Sequence, residues 1–215
     1  MKKAMLLLAL LQIMTGTGDS HAQPAEIGSG ALLCTKSAIT FRLSLRELWQ
    51  YQVTWTRSYI VSVLSSLEDV AVVEDKLIKN QEKIGAAIKP YYGGIAGNRL
   101  AVLLREHIVI AVEIVRAAKA DDTEALKTAQ EIGRDNADAI ANLLSRANNP
   151  RWDKQFVKDK FYAHLEYVTK QVDYRLKTDW GSEIKAYDDG LEHVLLLADI
   201  LAEGIVEQFP EKFTE

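Results

Sequence analysis

The sequence predicts an all-α protein, an up-and-down helical bundle with four long core helices and shorter peripheral helices. Apolar residues form 48% of the 215-residue chain and charged residues 26%, which fills a core and still leaves a polar surface. Apolar side chains recur at helical spacing over long stretches, whereas the alternation typical of strands stays short. Only 12 glycines and 4 prolines interrupt the chain, which argues against a turn-rich all-β protein.

The N-terminus has the pattern of a secretory signal peptide over residues 1–22. Two lysines precede an apolar run at residues 4–14, and the small residues Ser20 and Ala22 stand where a signal peptidase would cut. The apolar run is too short to span a bilayer. We therefore expect export to the periplasm or the extracellular space, with no transmembrane segment in the mature chain.

After the signal peptide, we expect residues 23–42 to form an N-terminal tail without a strong helical pattern. A single helical-bundle domain should follow over residues 43–213. The chain shows no internal repeat and no linker that would divide this domain.

The first half of the domain predicts two long helices and one weaker segment. Ser44 and Glu47 form a capping box that opens the first long helix, over about residues 44–64. The segment 67–89 has weaker periodicity and stops at a Pro-Tyr-Tyr-Gly-Gly sequence, so we expect it to be partly peripheral. Leucines at heptad spacing over residues 95–119 predict the second long helix.

The second half predicts the other two long helices. Aspartates cap a segment at residues 122–146 that we expect to be partly peripheral, and an Asn-Asn-Pro sequence follows it. The third and fourth long helices begin at Asp153 and Ser182 and end near residues 177 and 208. Connections this short favour antiparallel neighbours, which gives the up-and-down arrangement.

Charge and motif content exclude several classes of function. A net charge of −4 gives no basic surface for nucleic acid, so we expect no nucleic-acid partner. A single cysteine forms neither an intrachain disulfide nor a thiolate metal cage. The sequence contains no phosphate-binding loop and no serine-nucleophile motif, so whether it is an enzyme stays open.

Four polar residues, one on each long helix, interrupt the apolar faces: Gln52, His107, His164 and Asp199. A buried polar group without a partner costs roughly 1–3 kcal/mol, so such residues are retained where they meet partners or a ligand. We therefore predict that the four converge on a polar interior site. Tyr187 is a fifth candidate, since it can place a hydroxyl group near the cluster.

Three hypotheses for this interior site stay open. The first is a binding or interaction module whose small ligand or protein partner is unknown. The second is a metal-dependent enzyme or redox protein that holds a single transition-metal ion through His107, His164 and Asp199. The third is a structural envelope protein in which the same residues form a buried hydrogen-bond network. The sequence leaves the oligomeric state open.

The same residues resemble a family of uncharacterised, often exported bacterial proteins of similar length. The resemblance rests on the sequence LWQYQVTWTR at residues 48–57 and on the shorter motifs LLREH, NAD, HL, YD, AD and QFPEKF further along the chain. It implies a helical fold and draws attention to the polar cluster, but it assigns no chemistry. The family usually has histidine at the position of Gln52, and an amide is a poorer ligand for a transition metal than imidazole.

Overall fold

The computed structural model describes residues 29–149 and 151–214, and in these residues the regular secondary structure is entirely helical, as the sequence predicts. The helices are α1 (Ser29–Leu32), α2 (Lys36–Leu64), α3 (Val70–Lys119), α4 (Thr123–Ala147), α5 (Lys154–Leu176) and α6 (Trp180–Gln208), followed by a 3₁₀ turn (Pro210–Lys212). The predicted signal peptide, residues 1–22, lies outside the described ranges. None of the described helices combines the length and hydropathy that a membrane-spanning helix needs.

Helix α2 begins about two turns before the predicted start at Ser44. The Thr35 side chain accepts a hydrogen bond from the backbone N–H of Ala38 at 3.3 Å, and it therefore caps the helix. Ser44 and Glu47 are ordinary positions inside α2, so the capping-box interpretation is wrong. Part of the predicted N-terminal tail is thus helical.

Helix α3 is a hairpin of two arms, residues 70–92 and 94–119, joined at Gly93. The backbone of Gly93 has φ 81° and ψ 168°, a conformation that residues with a Cβ rarely adopt. Gly85 of the first arm lies against Gly97 and Ala101 of the second arm so closely that an added Cβ would be 2.5 Å from the Gly97 carbonyl oxygen. In a straight helix Gly85 would be about 18 Å from Gly97 and about 24 Å from Ala101, because each residue rises about 1.5 Å.

The five longer helices pack on one another. Helix α2 contacts α3 and α6, and along the chain α3 contacts α4, α4 contacts α5, and α5 contacts α6. Ion pairs show the direction of α2 relative to α6, since Arg42 meets Asp199 whereas Arg57, further along α2, meets Glu183, earlier in α6. These two helices are therefore antiparallel.

Helix α4 belongs to the core, which corrects the expectation that residues 122–146 are partly peripheral. Ala137, Ile140 and Ala141 of this helix are all 0% exposed. Ala137 and Ala141 have small side chains, which allow α4 to approach α3 and α5 closely. Five long helices rather than four thus share the core.

An aromatic cluster closes one end of the bundle. Tyr91 and Tyr92, next to the α3 hairpin turn, pack against Phe209 and Phe213 of the C-terminal segment. Phe41 of α2 contacts both Tyr91 and Phe213, with ring centroids 5.0 Å and 5.6 Å away. This cluster joins the beginning of α2, the turn of α3 and the end of the chain.

Candidate functional site

Gln52 lies on the buried face of α2 and is 3% exposed. Its side-chain oxygen accepts a hydrogen bond from the amide nitrogen of Gln81, on the first arm of α3. The same Gln81 nitrogen also donates to the backbone carbonyl of Leu77 at 2.9 Å. The two glutamines therefore form a buried pair in which each side-chain amide provides a hydrogen-bond partner for the other.

His107 lies on the second arm of α3 and bonds to Asn136 of α4. Its Nδ1 is 2.9 Å from the Asn136 side-chain oxygen, while the Asn136 amide nitrogen donates to the Leu103 carbonyl at 3.0 Å. Because the amide nitrogen is the donor to Leu103, the asparagine oxygen accepts and His107 carries its proton on Nδ1. The buried Nε2 of His107 then has a lone pair and has no hydrogen-bond partner among the described residues.

His164 of α5 stacks beside His107. The ring centroids are 6.0 Å apart with the planes inclined by 25°, and Phe161 meets the His107 ring edge-on at 5.9 Å. The Nδ1 of His164 is buried and has no partner in the described part of the chain. The same holds for the indole nitrogen of Trp49, whose ring meets Phe161 with the centroids 6.2 Å apart. Three buried ring nitrogens, one each on Trp49, His107 and His164, therefore have no hydrogen-bond partner among residues 29–149 and 151–214.

Burial keeps both imidazoles neutral. Removal from water, with a smaller contribution from the neighbouring His107 and His193, lowers the pKa of His164 to about 3. Burial also lowers the pKa of His107, and the hydrogen bond to Asn136 offsets only part of that effect. Each ring therefore offers one donor and one acceptor nitrogen at neutral pH.

The α3 hairpin brings the glutamine pair and the histidine pair to a similar height in the bundle. Gly85 of the first arm faces Ala101 of the second. Gln81 is about one turn before Gly85, and His107 is one to two turns after Ala101, since an α-helix has about 3.6 residues per turn. The two pairs thus lie within about one turn of each other along the bundle axis.

Asp199 does not join the two histidines as a metal ligand. Its carboxylate lies between α2 and α6, where Arg42 donates to one oxygen at 2.8 Å and Arg46 to the other. Partial burial acts to raise the pKa of Asp199, but the hydrogen bonds from the two arginines outweigh it and lower that pKa. Within residues 29–149 and 151–214, no group of three or more histidine, cysteine or acidic side chains is arranged to hold a metal ion.

Tyr187 belongs to a different set of contacts. The guanidinium of Arg57 lies 5.3 Å from the centre of its ring and makes two hydrogen bonds of 3.0 Å to Glu183, which is 1% exposed. Arg175 is a second cation near the same carboxylate, at 3.7 Å. Tyr187 therefore packs over a buried ion pair near the start of α6.

A surface groove of about 550 Å³ opens beside the His107 network. Leu103 and Asn136, both hydrogen-bonded in that network, line the groove. Val109 and Ile132, which are 47% and 51% exposed, extend the lining with apolar surface, and charged side chains of α3 and α4 complete it. The network is thus connected through Asn136 to a groove that opens on the surface.

Sequence reasoning did not select Gln81, Asn136 and Glu183 as site residues. Asn136 appeared only as part of an NAD motif, and its partner His107 is 29 positions away along the chain. Glu183 has an acidic side chain in the first turn of α6, where such residues are common, and that position gives no sign of burial. Helical spacing identifies a buried face, but it does not identify the partner across the core.

Comparisons of the chain with models of known families, with curated proteins and with solved structures found no match.

Proposed function

We propose that this chain is an exported binding module, an up-and-down helical bundle that takes a small ligand in the groove beside His107 and Asn136. The observation that carries the proposal is the connection of a surface groove, through Asn136, to buried ring nitrogens that lack partners among the described residues. Unpaired buried polar groups are costly, so their link to a surface groove through the His107–Asn136 hydrogen bond supports a role in binding rather than in packing.

The groove fits an organic ligand with an apolar body and a polar end. Its volume of about 550 Å³ is in the range usual for small-molecule sites. Val109, Ile110 and Ile132 offer an apolar surface, while the charged Arg99 and Asp135 offer partners for polar groups. The imidazole of His107, which is hydrogen-bonded to Asn136, is buried and neutral, so it adds no charge to this end of the groove.

Native mass spectrometry of the protein purified from a bacterial host tests the ligand proposal. We expect a bound small molecule that disappears in Ile132→Arg, because the new side chain would occupy the groove. Ile184→Arg is the matched control, since Ile184 is a similarly exposed helical isoleucine of α6 outside the groove. A spectrum of protein alone, or a bound molecule that survives Ile132→Arg, would contradict the proposal.

A structural protein with a buried hydrogen-bond network is the second candidate. The Gln52–Gln81 and His107–Asn136–Leu103 hydrogen bonds favour it, because they join α2, α3 and α4 without any ligand. In that case His107→Phe would change only the free energy of unfolding, and no bound species would be present. The metal-dependent alternative lacks a third ligand beside the two histidines in the described residues.

The export proposal rests on the pattern of residues 1–22 alone. The intact mass of the protein recovered from the periplasm or medium should correspond to a chain that begins at or near Gln23. A cytoplasmic protein that retains residues 1–22 would contradict export, and this result is independent of ligand binding.

A further inference from the structure

A second groove runs between α4 and α5, with α3 at its base. Two adjacent cavities of about 540 and 270 Å³ form it. Both cavities are lined by Ile114 of α3 and Thr169 of α5, so they are continuous along the bundle. The lining of α5 extends from Asp159 to Leu176, which is about 25 Å of helix at 1.5 Å per residue.

The base of this α4–α5 groove is apolar. Ile114, Ala117 and Val172 form its buried surface, and Leu126 and Leu176 are partly or largely exposed at its sides. Leu176 is 45% exposed and therefore leaves apolar surface open to solvent at this end of the groove. In the larger cavity, Ile114, Ala163 and Leu165 continue this apolar base between polar side chains. An apolar base with polar sides is typical of a surface that accepts an amphipathic helix.

The sides of the same groove are acidic. Its lining residues include five carboxylates and one guanidinium, that of Arg134. The carboxylates are Asp121, Asp122, Asp159, Glu166 and Asp173. Lys170 and Lys177 pair with two of them at 2.7 Å, but these pairs are exposed and contribute little, so the carboxylates can exchange partners.

We propose that the α4–α5 groove docks a basic amphipathic helix of a partner protein. The apolar base would receive the leucine-type face of that helix, and the acidic sides would pair with its lysines or arginines. A groove of about 25 Å accommodates roughly 17 residues of helix. A second copy of this chain fits less well, because its net charge of −4 would oppose the acidic sides.

Fluorescence anisotropy with a synthetic peptide tests this docking surface. The probe is a labelled helix of about 18 residues with leucines on one face and lysines on the other. We expect saturable binding that weakens as salt is raised, and binding at least about tenfold weaker for the same peptide with glutamate in place of lysine. Absence of binding by the lysine peptide would overturn the proposal.

Two variants locate the binding. Ala163→Trp fills the groove at a half-buried lining position, and the triple change Asp159→Asn, Glu166→Gln, Asp173→Asn removes charge while keeping shape. Each should weaken binding at least about tenfold. The matched control is Asp75→Asn, Glu82→Gln, Asp189→Asn, which removes two exposed carboxylates and one half-buried carboxylate elsewhere and should change binding less than about twofold.

Two comparisons distinguish the proposed docking from its alternatives: binding by the control triple variant, and the oligomeric state of the protein alone. Equal weakening by both triple variants would show non-specific attraction to an acidic protein and would overturn the proposal. Sedimentation of the protein alone should give a species that Ala163→Trp leaves unchanged. A dimer that Ala163→Trp dissociates would instead show that a second copy occupies the groove.

Discussion

His107 and His164 show how burial, rather than a charged partner, determines the protonation state of an ionisable side chain. His164 is flanked by His107 and by apolar side chains, so protonation of its ring would place a charge where water cannot solvate it. His107 has a partner for Nδ1, but Asn136 is neutral and offsets only part of the cost. Both rings therefore stay uncharged at neutral pH.

This burial predicts that the free energy of unfolding falls in mild acid. The pKa of each histidine is lower in the folded than in the unfolded state, where it is about 6.5, so the unfolded chain binds protons first. Stability should be unaffected by these groups above pH 6.5. Below that pH it should fall by about 1.4 kcal/mol per pH unit for each histidine, continuing to about pH 3 for His164.

Urea unfolding at pH 7, 6, 5 and 4 measures this dependence. His164→Phe keeps a ring in the core and removes one titrating group, so its stability should fall less steeply between pH 6 and pH 4. The lowered pKa values of Asp138 and Asp199 affect stability only at lower pH, since these carboxyl groups stay ionised above their ordinary range. Parallel pH curves for wild type and His164→Phe would contradict the assignment.

Residue spacing was sufficient to predict the burial of three candidate residues but not their partners. Gln52, His107 and His164 stand at positions of a helical apolar face, and all three are buried. Asp199 stands in a similar apolar run, yet it reaches the α2–α6 boundary, where Arg42 and Arg46 bind it. Arg46 and Asp199 are 153 positions apart in the sequence, so a local pattern cannot indicate that they pair.

At the scale of elements, the α3 hairpin depends on one glycine whose neighbour makes a natural control. Gly93→Ala should destabilise the protein by roughly 1–3 kcal/mol, because φ is 81° there and a Cβ is strained in that conformation. Gly94→Ala should be neutral or slightly stabilising, since an added Cβ meets nothing within 4 Å and φ is not positive. Urea midpoints of the two variants compare these costs, and equal values would contradict the proposed role of Gly93.

Three helix ends use a left-handed residue that is not glycine, and this predicts a stabilising change. Ser66, Asp121 and Thr178 follow α2, α3 and α5 with φ of 54°, 56° and 57°. Thr178 is β-branched, so the strain should be greatest there. Thr178→Gly should raise the free energy of unfolding by roughly 0.5–1 kcal/mol, after the entropic cost of glycine is included.

Thr128→Gly is the control for Thr178→Gly: the chemical change is the same, but it should lower the free energy of unfolding rather than raise it. Thr128 is an exposed residue inside α4, where glycine should cost up to about 1 kcal/mol because it is a poor helix former. Thermal unfolding of both variants measures the difference. A destabilised Thr178→Gly would show that the threonine side chain, rather than its backbone conformation, matters at the end of α5.

Local patterns predicted where helices break better than where they begin or how deeply they are buried. The Pro-Tyr-Tyr-Gly-Gly sequence correctly marked the turn near Gly93, because proline and glycine change the backbone directly. The capping box at Ser44 was misleading, since the same pattern is compatible with a position inside α2. The burial of α4 depends on small residues that fit its neighbours, and a hydrophobicity pattern undervalues alanine.

At the scale of the whole molecule, the aromatic cluster holds together segments that are far apart in the chain. Phe213 is 2% exposed, stacks on Tyr91 at 5.5 Å and contacts Phe41. Lys212, next to it, donates to the Pro90 carbonyl at 2.9 Å. The segment after α6 is therefore part of the core at this end of the bundle.

Phe213→Ala should accordingly destabilise the whole protein by roughly 3 kcal/mol, because it removes a buried ring and leaves a cavity beside Tyr91 and Phe41. Thr214→Ala, at the exposed next position, should change stability by less than about 0.5 kcal/mol. If the cluster joins the bundle as one cooperative unit, urea unfolding followed by tryptophan fluorescence and by circular dichroism should shift together in Phe213→Ala. A shift of less than about 1 kcal/mol, or loss of only local structure near the C-terminus, would show that the bundle folds without its aromatic end.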